Sequence, residues 1–239
     1  MNELLRKERF PTSWCPGCLL DLGVRTIASV IKEKEIEKNT VVLSGIGCTG
    51  RTAGYFNLDS VHSLHGRSIS VAEGIARVNP KLNVIVFSGD GDLLGIGGNH
   101  LLHSMKRNVN LTVICANNNI YGMTGGQKSP TTPLKGITLT SPFGSTEKPL
   151  NVKDLILSNG NFYARTTTIQ MQHFKQLLIK ALDFKGFSFI ELLTPCITNF
   201  GRRQGYNNQG EMVKEMKTEW VMQEKENVLK DNELGLIMK

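Results

Sequence analysis

The run Asn83-Val-Ile-Val-Phe-Ser88-Gly89-Asp90-Gly91-Asp92 decides the fold, together with Leu111-Thr-Val-Ile-Cys-Ala116-Asn117-Asn118-Asn119 one helical segment later. Both apolar runs are short, rich in β-branched residues and bounded by glycine or asparagine, as buried strands are. Between them, Gly97 to Asn108 carries Leu101, Leu102 and Met105 at helical spacing, with Lys106 and Arg107 in its last turn. The unit reads β-α-β, with parallel strands and a right-handed crossover. Outward from it, Thr40 to Ser44, Asn161 to Thr168 and Phe187 to Leu193 read as strands, and Leu19 to Lys34, Ser70 to Val78 and Gln170 to Phe184 as helices. The alternation predicts an α/β fold: a doubly wound, mostly parallel sheet.

In such a sheet, ligands sit beyond the carboxyl ends of the strands. Asp90 leaves one strand end and Asn118 the other. If the strands are neighbours, their ends lie about 5 Å apart, so both side chains reach one cation. Mg²⁺ takes oxygen ligands and completes its shell with phosphates. Gly89 and Gly91 let the backbone approach a diphosphate closely. Tyr121-Gly122-Met123-Thr124-Gly125-Gly126 adds a second glycine-rich loop on the same rim. The pattern predicts a cradle for magnesium and a diphosphate.

Composition narrows the class. The chain has 239 residues, 40% of them hydrophobic, a net charge of +7 and no run of about 18 apolar residues. Its charged start, Met1 to Phe10, lacks the apolar core of a signal peptide, so a cytoplasmic protein is expected. The lysines are scattered with no aromatic-interleaved basic stretch, which argues against a nucleic-acid partner. A basic surface would steer an acidic partner.

Of five cysteines, Cys115 lies inside an apolar strand and reads as an inert buried thiol. Cys15, Cys18, Cys48 and Cys196 each sit in a turn or at a strand end. Four thiolates from three segments suit a structural zinc or a 4Fe–4S cluster, and spacing alone does not separate them. His62, His100, His103 and His173 read as ordinary helix or loop residues, whereas His65-Gly66-Arg67 is a basic loop just ahead of a helix N-terminus, where anions are favoured.

Gly89-Asp90-Gly91, a spacer of nearly thirty residues and Asn117-Asn118 resemble the binding motif of thiamine diphosphate enzymes. With Tyr121 to Gln127 and Ser129-Pro-Thr-Thr-Pro133, the chain resembles the β subunit of 2-oxoacid:ferredoxin oxidoreductases, particularly the 2-oxoglutarate type, from about Trp14 to Arg203. The resemblance implies Asp90, Asn118 and the main-chain oxygen of Ile120 as Mg²⁺ ligands. Gly47, Cys48, His65, Gly66, Asp92, Tyr121, Gly122 and Thr124 would stand around the cofactor. It implies a 4Fe–4S cluster on Cys15, Cys18, Cys48 and Cys196, which match the family's positions one for one. Leu19-Leu20 stands where the family has Gly-His, which alters the packing at the helix start.

The implied activity is oxidative decarboxylation of a 2-oxoacid to acyl-CoA and CO₂, with electrons passing through the cluster to ferredoxin. The glutamate that activates thiamine diphosphate would come from a partner α subunit, since this chain has room for one such domain. Arg51 is the candidate for the substrate carboxylate. A pyruvate-type enzyme, a non-redox lyase or synthase subunit and a zinc-stabilised binding module are the competing readings. The expected organisation is an arm at 1–13, the cofactor domain at 14–203 and a partner-contacting extension at 204–239.

Overall fold

The computed structural model describes residues 2–225 and 227–238. Its centre is a sheet whose strands are β1 (Thr40–Ser44), β2 (Ser60–His62), β3 (Asn83–Gly89), β4 (Leu111–Asn117), β7 (Phe162–Thr167), β8 (Phe187–Leu193), β9 (Val221–Met222) and β10 (Glu233–Ile237). Two further short strands, β5 (Ile120–Tyr121) and β6 (Gln127–Lys128), form a separate hairpin. The eight strands lie in the order β2-β1-β3-β4-β8-β7-β10-β9. All pairs are parallel except β10 with β7.

Helices cover both faces because the strands alternate apolar residues between two cores. Ile85 and Phe87 of β3 and Ile114 and Ala116 of β4 face α1 (Leu20–Glu33) and α5 (Met171–Asp183), whose Val24, Ile27, Phe174 and Leu178 complete that core. Val84, Val86, Val113 and Cys115 face the other way, toward α2 (Ser68–Val78), α3 (Gly98–Lys106) and α4 (Val152–Leu157) through Ile69, Leu101, Met105 and Ile156. Cys115 is fully buried there, as its setting in the strand predicts. The doubly wound sheet expected from the sequence is therefore the architecture.

The order of connection places the site. β1 leads to β2 on one side, whereas β3 leads to β4 on the other. The direction of winding reverses between β1 and β3, and a crevice opens at their carboxyl ends.

Three segments go beyond the sequence reading. Gly91–Ile96, between β3 and the helix read from Gly97, is a π-helical turn closed by Gly97 N–H to Asp92 O at 2.8 Å. Such turns are rare and concentrate at functional sites. The described part of the arm, 2–13, is packed onto the domain: Leu4 and Leu5 enter the core, and Asn57 N donates to Leu4 O at 2.7 Å. The described part of the extension holds α6 (Gln209–Glu219) and, further on, β10, which joins the chain's own sheet opposite β7 and buries Leu234 and Ile237. Its five residues are too few for a clear alternation, and their pairing is not local.

The segment 127–151 is a compact loop tied by its own backbone. Lys135 N donates to Ser145 O (2.8 Å), Leu139 N to Gly126 O (2.7 Å) and Leu150 N to Pro130 O (2.8 Å). It is an ordered loop of the kind that carries function.

Candidate active site

Asp90 follows the last residue of β3, and Asn117 closes β4, with Gly89 paired against Ala116 in the parallel register. Asp90 and Asn118 therefore emerge side by side, as the β-α-β reading requires. A cavity at these strand ends is lined by Ile46, Gly47, Cys48 and Thr49 from the β1 loop, Gly89 to Asp92 from the β3 loop, and Asn118 and Ile120 to Thr124 from the β4 loop. His65, Leu20 and Ala116 close its remaining walls.

Asp90 is 1% exposed and receives only neutral donors. Burial raises its carboxyl above the usual range, while hydroxyls of Ser129 and Thr131 and the amides of Gly91 and Asn118 oppose that rise. Thr131 Oγ1 lies 2.6 Å from Asp90 Oδ2. A buried carboxylate with no cationic side chain beside it is poised for a metal ion. The floor also leaves room for phosphates. Gly47 has φ +102° with open space where a Cβ would stand, and nothing comes nearer than 3.7 Å to a Cβ built on Gly89. At Gly91 the demand is steric, since a Cβ would meet the Tyr121 ring at 2.3 Å. Tyr121 also donates its hydroxyl to Gly91 O at 2.9 Å, tying the two glycine-rich loops together.

Asp92 has the opposite role. Its carboxylate accepts from Ile46 N (3.1 Å), Gly66 N (2.8 Å), His65 Nδ1 (2.6 Å), Ser68 Oγ (3.3 Å) and Ser88 Oγ (2.8 Å). Expected from the sequence around the cofactor, Asp92 lines the cavity while its oxygens are taken up by protein donors, and it braces the β1 loop against the His65-Gly66 loop. The Gly66 amide is likewise consumed by Asp92. His65, held through Nδ1, keeps Nε2 for the cavity it lines.

Arg51, the candidate for the substrate carboxylate, stands at the edge of this site. It does not line the cavity; its exposed guanidinium donates to Ser13 Oγ at 3.0 Å and anchors the arm. Sequence reading passed over Thr131 and Ser129 as site residues, and Asn117 behind them. Their signal was the Ser-Pro-Thr-Thr-Pro string, whose hydroxyls reach Asp90 only once the loop has folded back.

The four site cysteines gather at one corner. A Cβ at Gly122 would lie 3.4 Å from Cys196 Sγ and 3.7 Å from Cys48 Sγ, and 3.8 Å from Asn118 Nδ2. Gly122 is thus the spacer between thiols and cradle, where a Cβ would already stand in van der Waals contact with both. Cys48 is raised to about 11 and Cys18 to about 12 by burial, with neighbouring thiols adding to the rise; burial raises Cys196 too. Each would be released as a thiolate only by a cationic centre. Among the described residues, no three His, Cys, Asp or Glu side chains meet at a single-ion position. A tetrahedral zinc draws its sulfurs to about 2.3 Å from one point, whereas a cubane places each thiolate on its own iron. The Trp14 indole donates to Cys48 O at 2.7 Å and packs at a tilt against Tyr55, ring centres 4.7 Å apart, capping this corner.

Comparison with known proteins decides the family. Residues 45–192 match the thiamine pyrophosphate enzyme C-terminal TPP binding domain. The chain is 44% identical over 215 residues to 2-oxoglutarate synthase subunit KorB of Methanothermobacter thermautotrophicus, covering 89% of this chain and 75% of that protein. It is 40% identical over 235 residues to the subunit of the same name from Methanocaldococcus jannaschii, covering 98% and 87%.

The chain belongs to the β subunits of the 2-oxoacid:ferredoxin oxidoreductases.

A solved 2-oxoglutarate:ferredoxin oxidoreductase from Magnetococcus marinus, with 2-oxoglutarate, coenzyme A and succinyl-CoA bound, superposes with a TM-score of 0.86 at 28% identity over 96% of this chain and 81% of that one. This β subunit is accordingly part of a multi-subunit oxidoreductase with a thiamine diphosphate-binding domain. No helix among its described residues is long and apolar enough to cross a membrane.

Proposed function

We propose that this β subunit binds thiamine diphosphate through Mg²⁺ at Asp90, Asn118 and the Ile120 carbonyl, holds a 4Fe–4S cluster on Cys15, Cys18, Cys48 and Cys196, and oxidises 2-oxoglutarate with coenzyme A as acyl acceptor. One observation carries the reading: Cys48 lines the same cavity as Asp90 and Asn118, so the thiol corner and the cradle share a wall. The relatives at 40–44% identity named for 2-oxoglutarate, and the neighbour with that acid and coenzyme A bound, support the substrate.

When bound, thiamine diphosphate supplies the electron sink that decarboxylation of a 2-oxoacid needs. The chain's own residues do the rest. Asp90 and Asn118 hold the metal that neutralises the diphosphate. The Gly47 and Gly89 to Gly91 backbone approaches the phosphates, and His65 Nε2 offers a contact from the side. Tyr121, Gly122 and Thr124 form the opposite wall. Leu20, Ile46 and Ala116 keep the floor apolar and exclude water, which strengthens every electrostatic contact inside.

Of the four thiols that would hold the cluster, Cys48 lines the cofactor cavity and Cys15 is the exposed one, where an electron acceptor could dock. A net charge of +7 favours an acidic ferredoxin as acceptor. An α subunit brings the activating glutamate and closes the cavity. A cytoplasmic location accords with five free cysteines.

The test is anaerobic purification with the partner subunit, then iron analysis, EPR and 2-oxoacid-dependent dye reduction across several 2-oxoacids. About four irons per chain, a reducible cluster signal and highest kcat/KM with 2-oxoglutarate are expected. Iron-free protein that still binds thiamine diphosphate would replace this reading with a non-redox lyase or synthase, and zinc without the cofactor with a binding module.

A further inference from the structure

Asp90 is the end of a buried chain of hydrogen bonds that the chemistry above does not use. Thr131 Oγ1 sits 2.6 Å from Asp90 Oδ2 and 2.9 Å from Asn117 Oδ1. Asn117 turns its nitrogen the other way and donates to Glu191 Oε1 at 2.8 Å. Glu191 Oε2 in turn accepts from the Tyr163 hydroxyl and from Arg165 Nε, the latter at 2.8 Å. Arg165 spends another donor on the Asp231 carbonyl at 2.8 Å and lies 5.2 Å from the Trp220 ring centre. Thr131, Asn117, Glu191 and Arg165 are all less than a tenth exposed. The path crosses β4, β8 and β7, from the cradle to the chain's returning C-terminal segment.

Each link constrains the next. A carboxylate paired with a guanidinium only accepts, so Glu191 demands the amide nitrogen of Asn117. That orientation turns Asn117 Oδ1 toward Thr131 and toward Asn119 N at 3.1 Å. The Thr131 hydroxyl has one proton to share among Asp90, Asn117 and Ser129 Oγ, which lies 3.2 Å away, so its oxygen is held among the three. With Asn117 free to rotate, the hydroxyl would follow it and the carboxylate plane of Asp90 would lose its fixed neighbour. Stability gives little reason for such a pair, because replacing a buried ion pair by apolar residues is often neutral or stabilising. Precise aim of a ligand gives a better one, since groups behind a metal ligand tune its affinity tenfold or more.

We propose that Glu191, held by Arg165 and acting through Asn117 and Thr131, is a positioning residue for the metal-binding carboxylate of Asp90. The inference rests on the magnesium–diphosphate reading of the cavity.

The test measures the Mg²⁺ concentration that half-saturates thiamine diphosphate binding to the assembled enzyme, by calorimetry, with thermal unfolding in parallel. Glu191→Gln and Thr131→Val are each expected to raise that concentration about tenfold. The double variant is expected to be no worse than the weaker single one, because both lie on one path. Unchanged Mg²⁺ requirement in either single variant, or effects that multiply, would overturn the proposal. Should Glu191→Gln fail to fold, the paired replacement Arg165→Met with Glu191→Met removes the buried charges together. It must then show the raised Mg²⁺ requirement, and a wild-type value would overturn the inference. Wild-type enzyme without Mg²⁺-dependent binding would overturn the cradle and this inference together, whereas failure confined to the variants overturns this inference alone.

Discussion

Two buried carboxylates in this chain have opposite surroundings. Glu73, on α2, is clamped by Arg107 through Nε (2.7 Å) and Nη2 (2.6 Å), by Arg77 at 2.8 Å and by Ser104. Those bonds, Arg107 first, hold its carboxyl down at about 2 despite burial. Asp90, hidden more deeply still, meets hydroxyls and amides but no cationic side chain, and burial pushes its carboxyl up. A carboxylate that serves the fold finds its positive charge within the chain. One that serves a ligand is left without, and the surrounding structure sustains the cost. Asp92, two residues from Asp90, shows that the same loop can satisfy an acid fully when it is used as a brace.

The contrast breaks most severely at Asp90 itself. Asp90→Asn, nearly the same shape, is expected to weaken Mg²⁺-dependent thiamine diphosphate binding by about a hundredfold or more, the scale of a lost charged ligand. The metal-free variant should also be more stable near neutral pH by about 1 kcal/mol, since a buried unpaired charge is gone. Calorimetric titration and urea unfolding check both halves. A variant that keeps its affinity, or loses stability, would erase the distinction between the two acids.

Next in size is Glu73→Gln, expected to cost about 2 kcal/mol in urea unfolding while leaving cofactor affinity unchanged. The pH dependences should run in opposite directions. Glu73 has a lowered folded pKa, so its stabilisation is present above about 4.5 and is lost as pH falls toward 2. Asp90 has a raised one, so in metal-free protein its penalty grows as pH rises from 3.8 through the folded value, and Mg²⁺ with thiamine diphosphate should remove it. Unfolding of the wild type and both variants across pH, with and without metal, measures the two slopes.

The smallest effect concerns Leu19, which holds φ +61° at the start of α1 directly after Cys18. A left-handed conformation costs a side-chain-bearing residue about 1 kcal/mol relative to glycine. Leu19→Gly should therefore stabilise the chain by up to about 1 kcal/mol in thermal unfolding. An equal loss would mean that Leu19 packing outweighs its backbone strain.

Much of this was legible before any coordinates. β1 and β8 have the bounds read from the sequence, and β3 and β4 each extend one residue further, because apolar β-branched runs closed by glycine or asparagine leave little freedom. Asp90 and Asn118 were placed by strand adjacency alone. What stayed hidden was non-local. Thr131 reaches Asp90 only because 127–151 folds back on its own hydrogen bonds, and β10 is a strand only because β7 offers it an edge. The contact of Arg51 with Ser13 is of the same kind: nearness to Cys48 in sequence gave no warning of it. The five donors on the Asp92 oxygens come from three separate segments and leave no mark in the sequence beside it.

The most direct test of the central claim is a crystal structure of the assembled enzyme grown with thiamine diphosphate and Mn²⁺ in place of Mg²⁺, with anomalous scattering recorded. The account predicts one strong peak about 2.2 Å from an Asp90 carboxylate oxygen, the Asn118 side-chain oxygen and the Ile120 carbonyl, touching the diphosphate. A peak held by other residues, or a diphosphate lying away from Asp90, would contradict it.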